Sequence, residues 1–286
     1  MNIQWYPGHM AKARRLLKEQ LQVVDLVLEI RDARIPRSSA NGELAQLIGN
    51  KPRIIVLNKE DLADPALTEA WVRILEEDVQ AVIPFNSLAP KGGTARVMDA
   101  CRRSALKTME TRKRKGLRPR AVRAMVIGIP NVGKSSLING LVRKGSARTG
   151  NKPGVTRGNQ WVRILKDLEL MDTPGILWPK FESETTGERL AFTGAISERI
   201  FDVEEAGRLL AAALADRAPG ALTGVYGELD LTVSPEELLL QIGRNRSFLG
   251  KDGEVTIDRT ALKLLHDYQA GRLGRITLDL PGEEER

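Results

Sequence analysis

Over roughly the first 175 residues, short apolar runs ending in polar clusters alternate with stretches of helical spacing; beyond about residue 179 only the helical spacing continues. Met10 to Val24 predicts a basic amphipathic helix with Leu16, Leu17, Leu21 and Val24 on one side. Asp25 to Ile30 predicts a buried strand, with Arg31-Asp32-Ala33-Arg34 as a polar loop at its carboxyl end. Arg53 to Leu57 and Ala81 to Phe85 predict two more such strands, with a helix over Pro65 to Glu77 between them. A basic stretch from Arg102 to Arg123 follows, then a strand over Ala124 to Ile129 and a helix from Ser135 to about Arg143. Thr149 to Asn159 reads as a flexible loop, and Trp161 to Leu165 and Leu168 to Met171 as two further strands. Helices are expected over Glu188–Ala195, Val203–Ala215, Pro235–Asn245 and Asp258–Gly271, with turn signals at Pro219-Gly220 and Lys251-Asp252-Gly253. Strands alternating with helices predict an α/β domain, a parallel sheet covered on both faces, over residues 1–180. A small all-α domain is expected over residues 181–286.

Two of the predicted strands end in motifs that carry chemistry. The strand at Ala124 runs into Gly128-Ile129-Pro130-Asn131-Val132-Gly133-Lys134-Ser135, a G-x-x-x-x-G-K-S loop that opens a helix. Glycines let backbone N–H groups turn onto phosphates, and the helix N-terminus adds its positive dipole end. Asn131, Val132, Gly133, Lys134, Ser135 and Ser136 are therefore the expected phosphate contacts. Lys134 would bridge the β- and γ-phosphates and Ser135 would ligand Mg²⁺. The strand at Arg53 ends in Asn58-Lys59-Glu60-Asp61. A carboxylate at Asp61 can accept from guanine N1–H and the 2-amino group, donors that adenine lacks. Asn58 can bond the other purine edge, and the Lys59 stem can lie over the ring. Ser87-Leu88, at the end of the third strand, are expected to give a backbone N–H to the base carbonyl.

Asp172-Thr173-Pro174-Gly175 ends a strand, so Asp172 is expected in the Mg²⁺ shell and Gly175 at the γ-phosphate. Thr156, in a glycine-flanked loop, is the expected threonine that closes on Mg²⁺ and the γ-phosphate. The position after Gly175, where Ras-like enzymes carry a water-positioning glutamine, is Ile176, and an aliphatic chain cannot polarise water. His9, in an N-terminal turn, is one candidate replacement; a structural turn histidine is the alternative. Asn131 as a K⁺ ligand is the other, against an ordinary loop asparagine. His266 falls in a helical pattern and reads as structural.

Composition narrows the setting. A formal charge of +7 makes RNA the leading anionic partner and an anionic membrane the second, while leaving open a basic enzyme with neither. Cys101 is the only cysteine, which excludes an intramolecular disulfide and a zinc cluster and suits a reducing compartment. No run approaches the roughly 20 apolar residues of a membrane helix, and the N-terminus lacks the features of a signal peptide. A cytoplasmic location and a monomer off its partner are the expectations.

The base motif at 58–61 precedes the phosphate loop at 128–135, the reverse of the usual GTPase order. With Trp5-Tyr6-Pro7-Gly8-His9-Met10, Asp32-Ala33-Arg34-Ile35-Pro36 and a helical C-terminal hundred residues, the chain closely resembles the circularly permuted GTPases of the YlqF type. The resemblance spans essentially the whole chain. It implies a P-loop GTPase sheet with permuted motif order, and GTP/GDP, Mg²⁺ and K⁺ as ligands. It also implies a GTP hydrolase that binds rRNA and a large ribosomal subunit precursor late in assembly and leaves after hydrolysis. The same resemblance implies a catalytic His9, alongside Lys134, Thr156 and Gly175. A GTP-stabilised RNA-binding scaffold with incidental hydrolysis stays open. Residues 112–115, Lys12, Arg14, Arg15, Lys18, Arg244, Arg246 and Lys251 are the candidate rRNA contacts. If the usual strand arrangement is kept, the 102–123 segment bridges the natural chain ends, and switch motion would reach the helical domain through Ile176 to Glu188.

Overall fold

The computed structural model describes residues 15–90, 92–118, 120–146, 161–172 and 183–283. Six strands form one sheet in the order β3-β2-β1-β4-β6-β5. They are β1 (Leu26–Asp32), β2 (Arg53–Asn58), β3 (Ala81–Phe85), β4 (Val122–Gly128), β5 (Trp161–Leu165) and β6 (Leu168–Asp172). All neighbours run parallel except the β5–β6 hairpin at one edge. Both faces are covered, as near-continuous apolar strands require. On one face Leu26, Leu28 and Ile30 of β1 share a core with α4 (Gly93–Arg114) and α5 (Lys134–Ser146). On the other, Val27, Met125 and Ile127 meet Leu17 and Leu21 of α1 (15–21), and Leu44 and Ile48 of α2 (Leu44–Ile48). Ile55 and Leu57 meet Trp71 of α3 (Pro65–Leu75).

Three expectations shift here. Leu16, placed by spacing beside Leu17 and Leu21, is exposed. β1 runs on through Arg31-Asp32, which read as loop because they are charged. They stay in the strand because each charge is paired: Arg31 donates through Nε to Glu29 at 2.9 Å, and Asp32 lies against Arg34 and Lys59. The basic 102–123 stretch is largely the second half of α4, whose apolar stripe was masked by its charge. Cys101 on that helix is fully buried, and burial pushes its thiol up to about 12, so it packs as a small hydrophobe.

The sheet changes its direction of winding at α4. At 22 residues this helix is about 33 Å long and returns the chain from β3 to β4, past β2 and β1. Before it the chain winds outward through β1, β2 and β3; after it the chain winds the opposite way through β4, β6 and β5. The strand order therefore reverses between β1 and β4, and ligands of open α/β sheets bind beyond the carboxyl ends of the strands at such a point.

From residue 183 to 269 the described residues are mainly helical: α6 (Glu184–Phe192), α7 (Val203–Arg217), α8 (Pro219–Tyr226), α9 (Pro235–Asn245) and α10 (Ile257–Gln269). Pro219-Gly220, read as a turn, starts α8 instead, with proline at a first-turn position where its missing N–H costs nothing. The expected boundary near residue 180 lies outside the described residues. After α10 the chain returns to the sheet half. Asp279 is buried there, accepting from the backbone N–H of Arg37 (2.7 Å) and of Ser38 (2.8 Å) and pairing with Arg189 at 2.8 Å. Trp71 donates its indole N–H to the Asp279 carbonyl at 2.9 Å.

Candidate nucleotide site

β4 ends at Gly128 and the chain turns through 129–133 into α5. Lys134, 8% exposed, folds its ammonium back onto the carbonyls of Gly128 (3.1 Å) and Ile129 (2.8 Å), so the loop closes around a buried positive charge. Gly133 has φ +100°, and a Cβ there would lie 2.1 Å from Asn58 Nδ2, so only glycine fits. Ser135 and Ser136 are exposed in the first turn of α5, where helix N–H groups lack an intrahelical acceptor. Hydroxyls and orphan donors beside a lysine form a donor set that suits phosphate and Mg²⁺. Val132 is buried and anchors the loop. Asn131 adopts φ +55° and donates Nδ2 to the carbonyl of Gly194, just past α6, at 2.7 Å.

The two motifs, some seventy residues apart in sequence, meet at Asn58. Its Nδ2 donates to the Val132 carbonyl at 2.7 Å, and its Oδ1 accepts from the Ser87 hydroxyl at 2.7 Å. Asn58 is thus a bracket between the phosphate loop, β2 and the segment after β3. An amide nitrogen carries two hydrogens, so this bond is compatible with a second one to a purine edge. Lys59 follows in the left-handed region, φ +61°, with its ammonium 2.9 Å from Asp32. Asp61 sits half-buried in the short 3₁₀ turn Glu60–Leu62. The Leu88 N–H expected at the base carbonyl has a local acceptor. It donates to Asn86 Oδ1 at 2.8 Å, an Asx-type turn that also takes the N–H of Ala89, and the Leu88 side chain is exposed.

Asp172 is the last residue of β6, in register with Val126 of β4, which places it beside the strand that feeds the phosphate loop. His9, Thr156, Gly175 and the segment 173–182 lie outside the described residues. Sequence reasoning missed the residues that lock the site from behind: Asp32 at the end of β1, Arg34 just after it, Gly194, and Arg275. The available signal was a pair of charges at the end of an apolar strand.

A G-x-x-x-x-G-K-S loop opening a helix at the reversal of strand order, bracketed to an Asn-Lys-x-Asp strand end, defines a P-loop GTPase of permuted motif order. A family model described as "50S ribosome-binding GTPase" matches residues 123–214. The chain is 42% identical to ribosome biogenesis GTPase A of Bacillus cereus, over 99% of this chain and 95% of that protein. It is 32% identical to mitochondrial ribosome-associated GTPase 1 of Mus musculus, over 96% of this chain and 89% of the relative. The structure of GNP-bound YlqF from T. maritima superposes with a TM-score of 0.64 at 28% identity, covering 96% of this chain and 100% of that one. The chain belongs to the YlqF-type family of ribosome biogenesis GTPases A, and it hydrolyses GTP. Among the described residues, no helix is long and apolar enough to cross a membrane.

Proposed function

We propose that this GTPase binds a large ribosomal subunit precursor through rRNA in its GTP state and leaves after hydrolysis, with the basic end of α4 meeting rRNA alongside the helical residues 181–286. The observation that carries the RNA reading is the basic end of α4. Lys113, Arg114, Lys115 and Arg118 are exposed together there, as phosphate contacts require. Lys18 and Lys251 are exposed too, Lys12 and Arg14 lie outside the described residues, and three other candidates already have partners. Arg15 pairs with Glu19, Arg244 pairs with Glu237, and Arg246 donates to the Val225 carbonyl. The relatives' names agree in pointing to ribosomes.

The test is co-sedimentation with large subunits and their precursors, with a non-hydrolysable GTP analogue or GDP. Binding is expected at least about 10-fold tighter with the analogue, and weakened by salt as phosphate contacts dictate. Equal binding in both states, with no acceleration of hydrolysis by the subunits, would favour a scaffold in which hydrolysis is incidental.

For the chemistry, we assign Ser135, Thr156 and Asp172 to Mg²⁺, which when bound supplies charge neutralisation at the β- and γ-phosphate oxygens. Asn131 is assigned to K⁺ through Oδ1, since Nδ2 is committed to Gly194. Gly175 is assigned to the γ-phosphate. With Ile176 in place of a glutamine, His9 is the group assigned to orient water. His9→Ala is expected to lower kcat on the order of 10²-fold, the usual scale of a lost acid–base group, while GTP affinity stays within about twofold. Unchanged turnover in that variant removes histidine from the mechanism.

A further inference from the structure

Asp32 ends β1 directly beside Asn58 of β2 and is 1% exposed. Arg34 grips it with a fork, Nε to Oδ1 at 3.0 Å and Nη2 to Oδ2 at 2.8 Å. From the other side the Lys59 ammonium lies 2.9 Å from Oδ2. Burial alone would push this carboxyl up, but the two cations outweigh it and hold it well below the usual carboxylate range.

Arg34 is equally buried and has a second set of partners. Its Nη1 donates to the carbonyls of Tyr268 (3.3 Å) and Gln269 (3.4 Å), and its guanidinium lies 5.2 Å from the Tyr268 ring centroid. Those carbonyls belong to the last turn of α10, where the helix dipole favours a cation. Past α10 the chain runs along the segment that holds Asp61. Arg275 donates Nε to Ala63 O and Nη2 to Glu60 O, both at 2.8 Å. The Ile276 N–H donates to Leu62 O at 3.0 Å, and the Asp64 N–H donates to Thr277 Oγ1 at 3.0 Å. Gly271 sits so close that a Cβ would lie 2.5 Å from Leu62 Cδ2.

We propose that Asp32 is a positioning residue of the guanine site, and that Arg34 and Arg275 make the setting of Lys59–Asp61 depend on the seating of residues 268–277. Guanine-nucleotide affinity and the docking of the helical domain are then coupled. The proposal rests on the reading of Asn58-Lys59-x-Asp61 as the base motif. Lys59 needs such support, because a left-handed backbone at a non-glycine residue persists only where its surroundings hold it. Asp32 holds the side-chain end of Lys59, and Arg275 with Ile276 and Thr277 holds the residues that follow. The coupling runs both ways: whatever levers 268–277 away loosens the nucleotide, and guanine nucleotide tightens the domain contact to the same degree.

The experiment compares full-length wild type with Asp32→Asn and Arg275→Ala by GTP hydrolysis, release of fluorescent GDP, and the preference for GTP over ITP. Inosine lacks the 2-amino donor, so this preference reports on the placing of Asp61. For Asp32→Asn, KM is expected to rise about 10-fold with kcat within about twofold, as loss of uniform binding predicts. GDP release accelerates to match, and the GTP:ITP preference falls. Arg275→Ala removes two hydrogen bonds from an exposed residue and is expected to raise KM about 3- to 5-fold with the same loss of base preference. Should Asp32→Asn not fold, Arg275→Ala decides alone. Wild-type KM, release and base preference in the folded variants overturn the proposal. Asp61→Asn, run alongside, separates the failures. If it too keeps GTP preference, the base-motif reading falls and the proposal with it; if it alone loses preference, only the coupling is wrong.

Discussion

Lys134→Ala is expected to weaken GTP binding at least about 100-fold and to remove measurable turnover, because its ammonium is the buried positive charge of the phosphate loop. It is 8% exposed and reaches two loop carbonyls, at 3.1 and 2.8 Å. Phosphate oxygens in the loop would take over that ammonium as charge-assisted acceptors. Each such bond contributes about 1.5–3 kcal/mol, so two of them give on the order of 3–6 kcal/mol, a factor of at least about 100 in affinity. Titration of a fluorescent GTP analogue and single-turnover phosphate release measure the two effects separately. Alanine also leaves the carbonyls of Gly128 and Ile129 without this donor, so a thermal melt belongs with the assay. Wild-type affinity in a folded Lys134→Ala protein would remove this loop from the site.

Much of this arrangement is legible along the chain. The strand over Ala81–Phe85 and the helix over Pro235–Asn245 fall where their patterns place them. Both are bounded by local chemistry, the second by Ser234, whose hydroxyl accepts from the Glu237 N–H, and by proline in its first turn. The phosphate loop is legible because its glycines answer to local backbone demands, as Gly133 shows. What is not legible is set by side-chain charge pairing, part of it between distant segments. β1 keeps Glu29, Arg31 and Asp32 inside the sheet because Glu29 pairs with both Arg31 and Arg53, and Asp32 with both Arg34 and Lys59. No periodicity reveals such partners. The basic stretch at 102–123 hid α4 for a related reason. Its charges lie on the solvent side, while Val97, Met98, Cys101 and Ala105 line the buried stripe.

The permuted order also reads differently in three dimensions. In sequence it suggests a route from the switch strand into the helical domain through 176–188, most of which lies outside the described residues. The described residues supply shorter links. Asn131 in the phosphate loop bonds Gly194 just past α6, and Arg275 bonds the carbonyls of Glu60 and Ala63 around the base motif. The helical half therefore touches both ends of the nucleotide site directly. With β1 and β2 ahead of the phosphate loop in the chain, the loops that leave them lie opposite residues 275–279, and this C-terminal segment closes over them.

Asp61→Asn is expected to exchange guanine for xanthine selectivity. Guanine presents two donors, N1–H and the 2-amino group, and a carboxylate accepts both. An asparagine amide accepts one and sets an N–H against the other, so a favourable charge-assisted pair becomes a clash of donors. Sites built around such pairs discriminate by up to about 10⁴–10⁵, and below that ceiling the affinity for GDP is expected to fall about 10²- to 10³-fold. Xanthine carries a carbonyl where guanine carries the amine, so the asparagine N–H gains an acceptor and xanthosine nucleotides bind better than they do to wild type. Competition of GDP, XDP and ADP against a fluorescent guanine nucleotide reads the change. Asp61 is half-buried on a surface turn and the substitution conserves its shape, so the melting temperature should hold. A fall in GDP affinity without a gain for XDP would mean that Asp61 supports the loop and does not meet the base. An unchanged order of affinities would move base recognition away from Asn58–Asp61 altogether.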